Sequence, residues 1–115
     1  MSVPAEEHRS ADGTLVFAVE SLGDGDVAIG FRGFPWHTHA DILSCTMNLA
    51  EPDAVRAFVD ELLNDHSVIS LRYVDDTLTD VWISDDPRGD LRYCQPSERI
   101  EFRYWSGRQH KMSAT

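Results

Sequence analysis

Lysine is almost absent from this sequence. Of its ten basic residues nine are arginine, set against twenty aspartates and glutamates, for a formal net charge of −10. That shortage of positive charge excludes a general nucleic-acid binder, whose affinity comes from basic side chains displacing counterions from phosphates. It argues equally against docking on an anionic membrane. Long apolar runs are also missing, and no stretch approaches the roughly 20 residues of a membrane-spanning helix. The first ten residues, Met-Ser-Val-Pro-Ala-Glu-Glu-His-Arg-Ser, contain no apolar core of a secretion signal. Cysteine is scarce: Cys45 and Cys94 stand far apart and form no C-x-x-C motif, so no disulfide framework is indicated. These absences together lead to the expectation of a cytoplasmic protein with reduced thiols.

Hydrophobic residues make up 42% of the chain and charged residues 26%, an ordinary globular balance. A chain of 115 residues supports one core, so a single domain over 1–115 is expected. Residues 1–13 are polar and aperiodic and read as a loose arm, and 107–115 as a frayed tail.

Strands are expected at 14–20 and 26–32, where Leu15, Phe17 and Val19, then Val27, Ile29 and Phe31, alternate with polar residues around a Gly/Asp turn. A third is expected at 41–48. The spacing of Val55, Phe58, Val59, Leu62 and Leu63 predicts an amphipathic helix over 52–66. Pro52 suits its first turn, Glu51 and Asp53 complement its dipole, Asp65 opposes the dipole, and His66 reads as a cap. A meander of strands at 67–74, 78–84, 90–95 and 99–105 follows, with acidic turns at about ten-residue spacing. The expected fold class is α+β. It is a predominantly antiparallel six- or seven-stranded sheet, in the order β-β-β-α-β-β-β-β, with one helix packed on one face. Within the meander, placing Leu71 opposite Val81 and Ile69 opposite Ile83 keeps both partners on the buried face and sets Arg72 opposite Asp80. Pairing Ile83 with Leu91 would set Trp82 opposite Arg92. Leu91, Tyr93 and Phe102 would then join the face that packs on the helix. A loop over 96–99 would lead into the last strand.

Two surfaces could carry chemistry. The first is Trp36-His37-Thr38-His39-Ala40-Asp41. On an extended chain His37, His39 and Asp41 project to one side, and two imidazoles at i and i+2 with a carboxylate can clamp zinc or another divalent metal. The cupin pattern also uses such a pair, but it wants an acidic residue four or five positions after the second His, where this chain has Leu43 and Ser44. No nucleophile elbow or phosphate-binding glycine loop is present. The second surface is the outer face of the meander, where Arg72, Trp82, Arg92, Arg103 and Trp105 would gather. Trp and Arg dominate interface hot spots.

The reading favoured here is a non-enzymatic protein–protein interaction module without a cofactor, whose partner is another protein, a basic one, or a second copy of the chain in a homodimer. In size and charge the chain is similar to bacterial immunity and antitoxin proteins, whose negative field steers a basic partner. The alternative is a small metal- or ligand-binding protein or enzyme built on His37, His39 and Asp41.

Overall fold

Alternating apolar residues make the first hairpin as expected. In the computed structural model, which describes residues 5–92 and 94–111, strands β2 (Val16–Gly23) and β3 (Asp26–Phe31) pair antiparallel, with Phe17 opposite Phe31 and Val19 opposite Ile29. Gly23, Asp24 and Gly25 turn the chain with φ of 85°, 51° and 78°, the left-handed backbone for which glycine is suited.

The arm is not loose over its second half. Residues Glu6–Arg9 form β1, which pairs with β2 along the edge of the sheet. A polar edge strand is held by backbone bonds, and a search for apolar alternation misses it. On the other side of β3 lies β4 (His37–His39), completing a four-stranded sheet in the order β1-β2-β3-β4. Gly30 permits this approach, since a Cβ there would stand 2.7 Å from the Trp36 carbonyl oxygen.

In place of the strand expected over 41–48 there is a helix: α1 spans Ala40–Met47. Ala40, Leu43 and Met47 recur at helical spacing and turn inward. Asn48, at φ 56°, ends the helix in the left-handed position that asparagine tolerates. The predicted amphipathic helix is α2 (Glu51–Leu63), with Pro52 in its first turn and Ala54, Val55, Val59 and Leu62 buried. It stops short of His66. Asp65 lies beyond it at φ 61° and accepts hydrogen bonds from the Ser106 amide (3.0 Å) and hydroxyl (2.6 Å). Burial opposes the charge on Asp65, but the Ser106 bonds, with Arg108 and His66 nearby, outweigh it and lower its pKa.

The meander becomes a second, three-stranded sheet in the order β6-β5-β7, so the single six- or seven-stranded sheet is corrected to two sheets. Strands β5 (Val68–Val74) and β6 (Thr77–Ser84) pair in the derived register, with Leu71 opposite Val81, Ile69 opposite Ile83 and Arg72 opposite Asp80. Asp75 and Asp76, at φ 49° and 67°, make the tight turn between them.

Among the described residues no strand forms over 90–95. The first part of that segment belongs to a short helix, α3 (Pro87–Arg92). Asp86 caps α3 by accepting the Gly89 amide at 3.1 Å, and Pro87 occupies a first-turn position that needs no donor. Consequently Trp82 does not pair with Arg92, Ile83 does not pair with Leu91, and Leu91 is 40% exposed. The expected inward position of Tyr93 lies outside the described residues.

After a turn closed by Glu98 N–H donating to the Gln95 carbonyl, β7 (Glu98–Arg103) returns to the free edge of β5. Its register sets Arg103 opposite Ile69 and Phe102 opposite Ser70. Phe102 therefore faces away from the main core, not into it as expected, and Ile100 shares its side. The tail is also tied as far as 110, because the His110 amide donates to the Phe102 carbonyl.

One core joins both sheets and the first two helices. It contains Phe17, Val19, Ile29, Leu43, Val59, Leu62, Ile69 and Val81, among others. Beside it, Asp12 ties the β1–β2 turn to the second sheet. It accepts from Ser10 Oγ (2.7 Å), the Thr14 amide (3.1 Å) and Thr14 Oγ1 (2.8 Å), and Arg103 Nη1 donates to it at 2.7 Å. These bonds, the Ser10 hydroxyl first and then Thr14, hold the Asp12 carboxyl well below the usual carboxylate range. A depressed folded pKa means that the unfolded chain binds the proton first. The Asp12 contribution is therefore complete above the ordinary carboxylate value of about 3.9 and is lost as pH falls through the folded value. Asp12→Asn is expected to flatten the acid limb of a stability–pH profile measured by urea unfolding. Acid limbs of equal slope would contradict this.

Candidate functional site

The outer face of the three-stranded sheet does not gather the predicted patch. Trp82 is half-buried, and its Nε1 donates to Asp90 Oδ2 at 3.1 Å from beneath α3. Arg72 is on the same face and lies 3.7 Å from Glu98 Oε2. Arg92 is exposed at the end of α3. Arg103 rises on the opposite face, beside Ile69, where it bonds Asp12 and the carbonyls of Tyr104 and Trp105. Trp105 is 9% exposed and packs in the main core. Arg92 leaves the patch because α3 stands where a strand was expected to begin, and Arg103 leaves it because the pairing of β7 with β5 sets it beside Ile69.

The histidine pair does come together. His37 and His39 lie on one side of β4, with ring centroids 4.9 Å apart and edge to face. The third expected member does not join them. Asp41 is in the first turn of α1, and its Oδ1 accepts the Ile42 amide at 2.9 Å. The carboxylate beside His39 is instead Asp26, 3.1 Å from Nδ1, because β3 begins next to β4. His37 Nδ1 lies 3.0 Å from the Pro35 carbonyl oxygen. Among the described residues no group of three or more His, Cys, Asp or Glu side chains is arranged to hold a metal ion.

A concave surface lies on this same outer face of the four-stranded sheet. Register places Ala18 opposite Gly30 and Glu20 opposite Ala28. Ala18, Ala28 and Gly30 floor a cleft of about 540 Å³, which Glu20, Leu22, Phe34, Trp36 and His37 also line. One end is crossed by Arg32, whose guanidinium bonds Glu7 (2.6 Å) and Glu20 (2.5 Å). These two carboxylates, the Glu7 hydrogen bond first, raise the Arg32 pKa further above its ordinary value. Past the β2–β3 turn a second hollow, of about 470 Å³, is lined by Asp24, Asp26, His39, Asp41, Ile42 and Glu51.

Comparison with protein-family models, curated proteins and solved structures finds no match.

The site is therefore read from its own chemistry. It offers apolar area, acidic charge and two imidazoles on a rigid sheet. Ser44 Oγ donates to the Leu49 carbonyl at 2.5 Å within α1's own end, and Cys45 is an exposed free thiol on α1. The cleft floor escaped the reading of the sequence, since Ala18, Ala28 and Gly30 gain meaning only once β2, β3 and β4 are paired. The one available hint was the small size of Ala28 and Gly30 at alternate positions of an otherwise bulky strand.

Proposed function

We propose that the chain is a non-enzymatic, cytoplasmic interaction module of the immunity or antitoxin kind, which binds a basic protein partner. The observation that carries this reading is how the charge is distributed. Five arginines are occupied within the chain: Arg32 by Glu7 and Glu20, Arg56 by Glu6 and Asp60, Arg72 by Glu98, Arg99 by Asp76 and Glu101, Arg103 by Asp12. Against this, no Lys or Arg among the described residues pairs with Asp24, Asp41 or Glu51 around the second hollow. The acidic excess behind the net charge of −10 is thus free of internal basic partners around this hollow and can act on a partner, where it speeds encounter and fixes orientation. No helix among the described residues is long and apolar enough to cross a membrane, and both cysteines are free thiols, which suits a reducing compartment. The other reading, a divalent metal on His37, His39 and Asp41, is not favoured by the geometry, because Asp41 closes on its own helix.

The test uses a fluorescent peptide of six arginines spaced by glycine, with affinity followed over a salt series. Combined Asp24→Asn, Asp41→Asn and Glu51→Gln is expected to weaken binding about tenfold, roughly 1.4 kcal/mol, and to reduce its salt dependence. Asp53→Asn with Glu61→Gln, on the exposed face of α2, should leave binding unchanged. Equal losses from both sets would show that only overall charge matters and would remove the case for a dedicated face.

A further inference from the structure

The outer face of the four-stranded sheet has the anatomy of an interface, apolar at its centre and acidic at its rim. The floor of Ala18, Ala28 and Gly30 is bordered by Phe34 and Trp36, both half-buried against the main core, and by Leu22, which stands 55% exposed. A volume of about 540 Å³ lies within the roughly 300–1,000 Å³ of clefts that enclose ligands. One rung along β3, where Ala28 pairs with His39, the surface passes into the hollow rimmed by Asp24, Asp26, Asp41 and Glu51. The cations that register places on this face are Arg32, outnumbered by Glu7 and Glu20, and Arg9 at the far strand.

Charge selects the occupant. A second copy of the chain would bring one acidic rim against another, each molecule carrying −10, and like charges set face to face oppose association. A basic surface is attracted by the same rim. We propose that this face is the docking surface for the basic partner, and that the cleft seats one large apolar or aromatic side chain projecting from it. Meanwhile the partner's arginines or lysines reach the carboxylates beyond the β2–β3 turn. This inference rests on the reading of the chain as a binder of a basic protein and adds where and how it binds. The small floor residues leave room for the anchor, the exposed Leu22 gives it apolar contact, and the anchor's burial supplies specificity that charge alone lacks.

The experiment compares two labelled peptides against the full chain at one salt concentration: six arginines spaced by glycine, and the same peptide with a central tryptophan. The tryptophan peptide is expected to bind at least tenfold more tightly. Ala28→Leu, which fills the floor, and Leu22→Ser, which leaves the fold's interior untouched, should each erase most of that gain while keeping affinity for the glycine peptide. Equal affinity of the unaltered chain for the two peptides, or a gain that survives both substitutions, overturns the anchor cleft while leaving the basic-partner reading standing. Absence of binding by either peptide overturns the reading itself, and the cleft proposal with it.

Discussion

Phe17→Ala is expected to cost about 3–5 kcal/mol, the upper range for loss of a buried aromatic side chain. Phe17 is 0% exposed. Its ring centroid lies 5.0 Å from that of Phe31 and 6.3 Å from that of Phe58, so it meets both a neighbouring strand and α2. The backbone beside it is held by pairing on both sides, to β1 and to β3, and cannot collapse into the space left behind. Against a total stability of roughly 5–15 kcal/mol for a domain, the variant should unfold at a much lower urea midpoint with a similar slope. Phe58 is only half-buried, and Phe58→Ala should cost clearly less. A larger loss at Phe58 than at Phe17 would mean that the core is centred on the helix stripe, not on the sheet.

The legible parts of the fold were those whose signal is local and repeated. The helix stripe of Val55, Val59 and Leu62 spans two turns and more, and the strand pairs Ile69–Ile83 and Leu71–Val81 follow from matching the apolar faces of two alternating segments, a register shift beside Arg72 and Tyr73 absorbing the offset from the two-residue turn. Where the signal is short it is ambiguous. Ala40, Leu43 and Met47 mark a helix of two turns, yet the same segment alternates well enough to read as a strand. Asp86-Pro87 is a helix-start pattern, but Gly89 two residues on weakens it, and the acidic pair resembles the turn at Asp75-Asp76. The misplacement of Arg103 and Phe102 has another cause. Parity along β7 was read correctly, but which strand it pairs with is a long-range choice. Pairing with β5 through Ile69–Arg103 and Ser70–Phe102 inverts the faces that a sequential meander would give.

The same distinction governs the candidate site. That His37 and His39 share a side follows from the two-residue period of a strand, and their rings do adjoin. That Asp41 would share it assumed that the extended chain continues, and it ends at His39 where α1 begins. The cleft depends on Ala18, Ala28 and Gly30 meeting across strands, a property of the sheet and not of any segment.

Asp90→Ala is the second substitution with a large expected effect, about 2–4 kcal/mol, although Asp90 is on a short surface helix. Its Oδ2 accepts from Ser70 Oγ (3.1 Å), Trp82 Nε1 (3.1 Å) and Ser84 Oγ (2.5 Å). Ser70 is 0% exposed, so deletion of the carboxylate leaves its hydroxyl buried without its acceptor, at about 1–3 kcal/mol. The loss of a charge-assisted acceptor for the indole and the second serine adds to that. The effect reaches beyond stability, because these bonds fasten α3 across the sheet face that carries Trp82. Without them α3 should detach locally before the core unfolds, and Trp82 should become accessible. Asp90→Asn retains one oxygen acceptor and should lose only about 1 kcal/mol. Urea unfolding gives the stability, and acrylamide quenching in the absence of urea gives the access. Quenching that rises in Asp90→Ala at full native content, and much less in Asp90→Asn, is the expected pattern. If both variants unfold like the parent chain and quench no more strongly, α3 is held by other contacts, and the half-burial of Trp82 has a different origin.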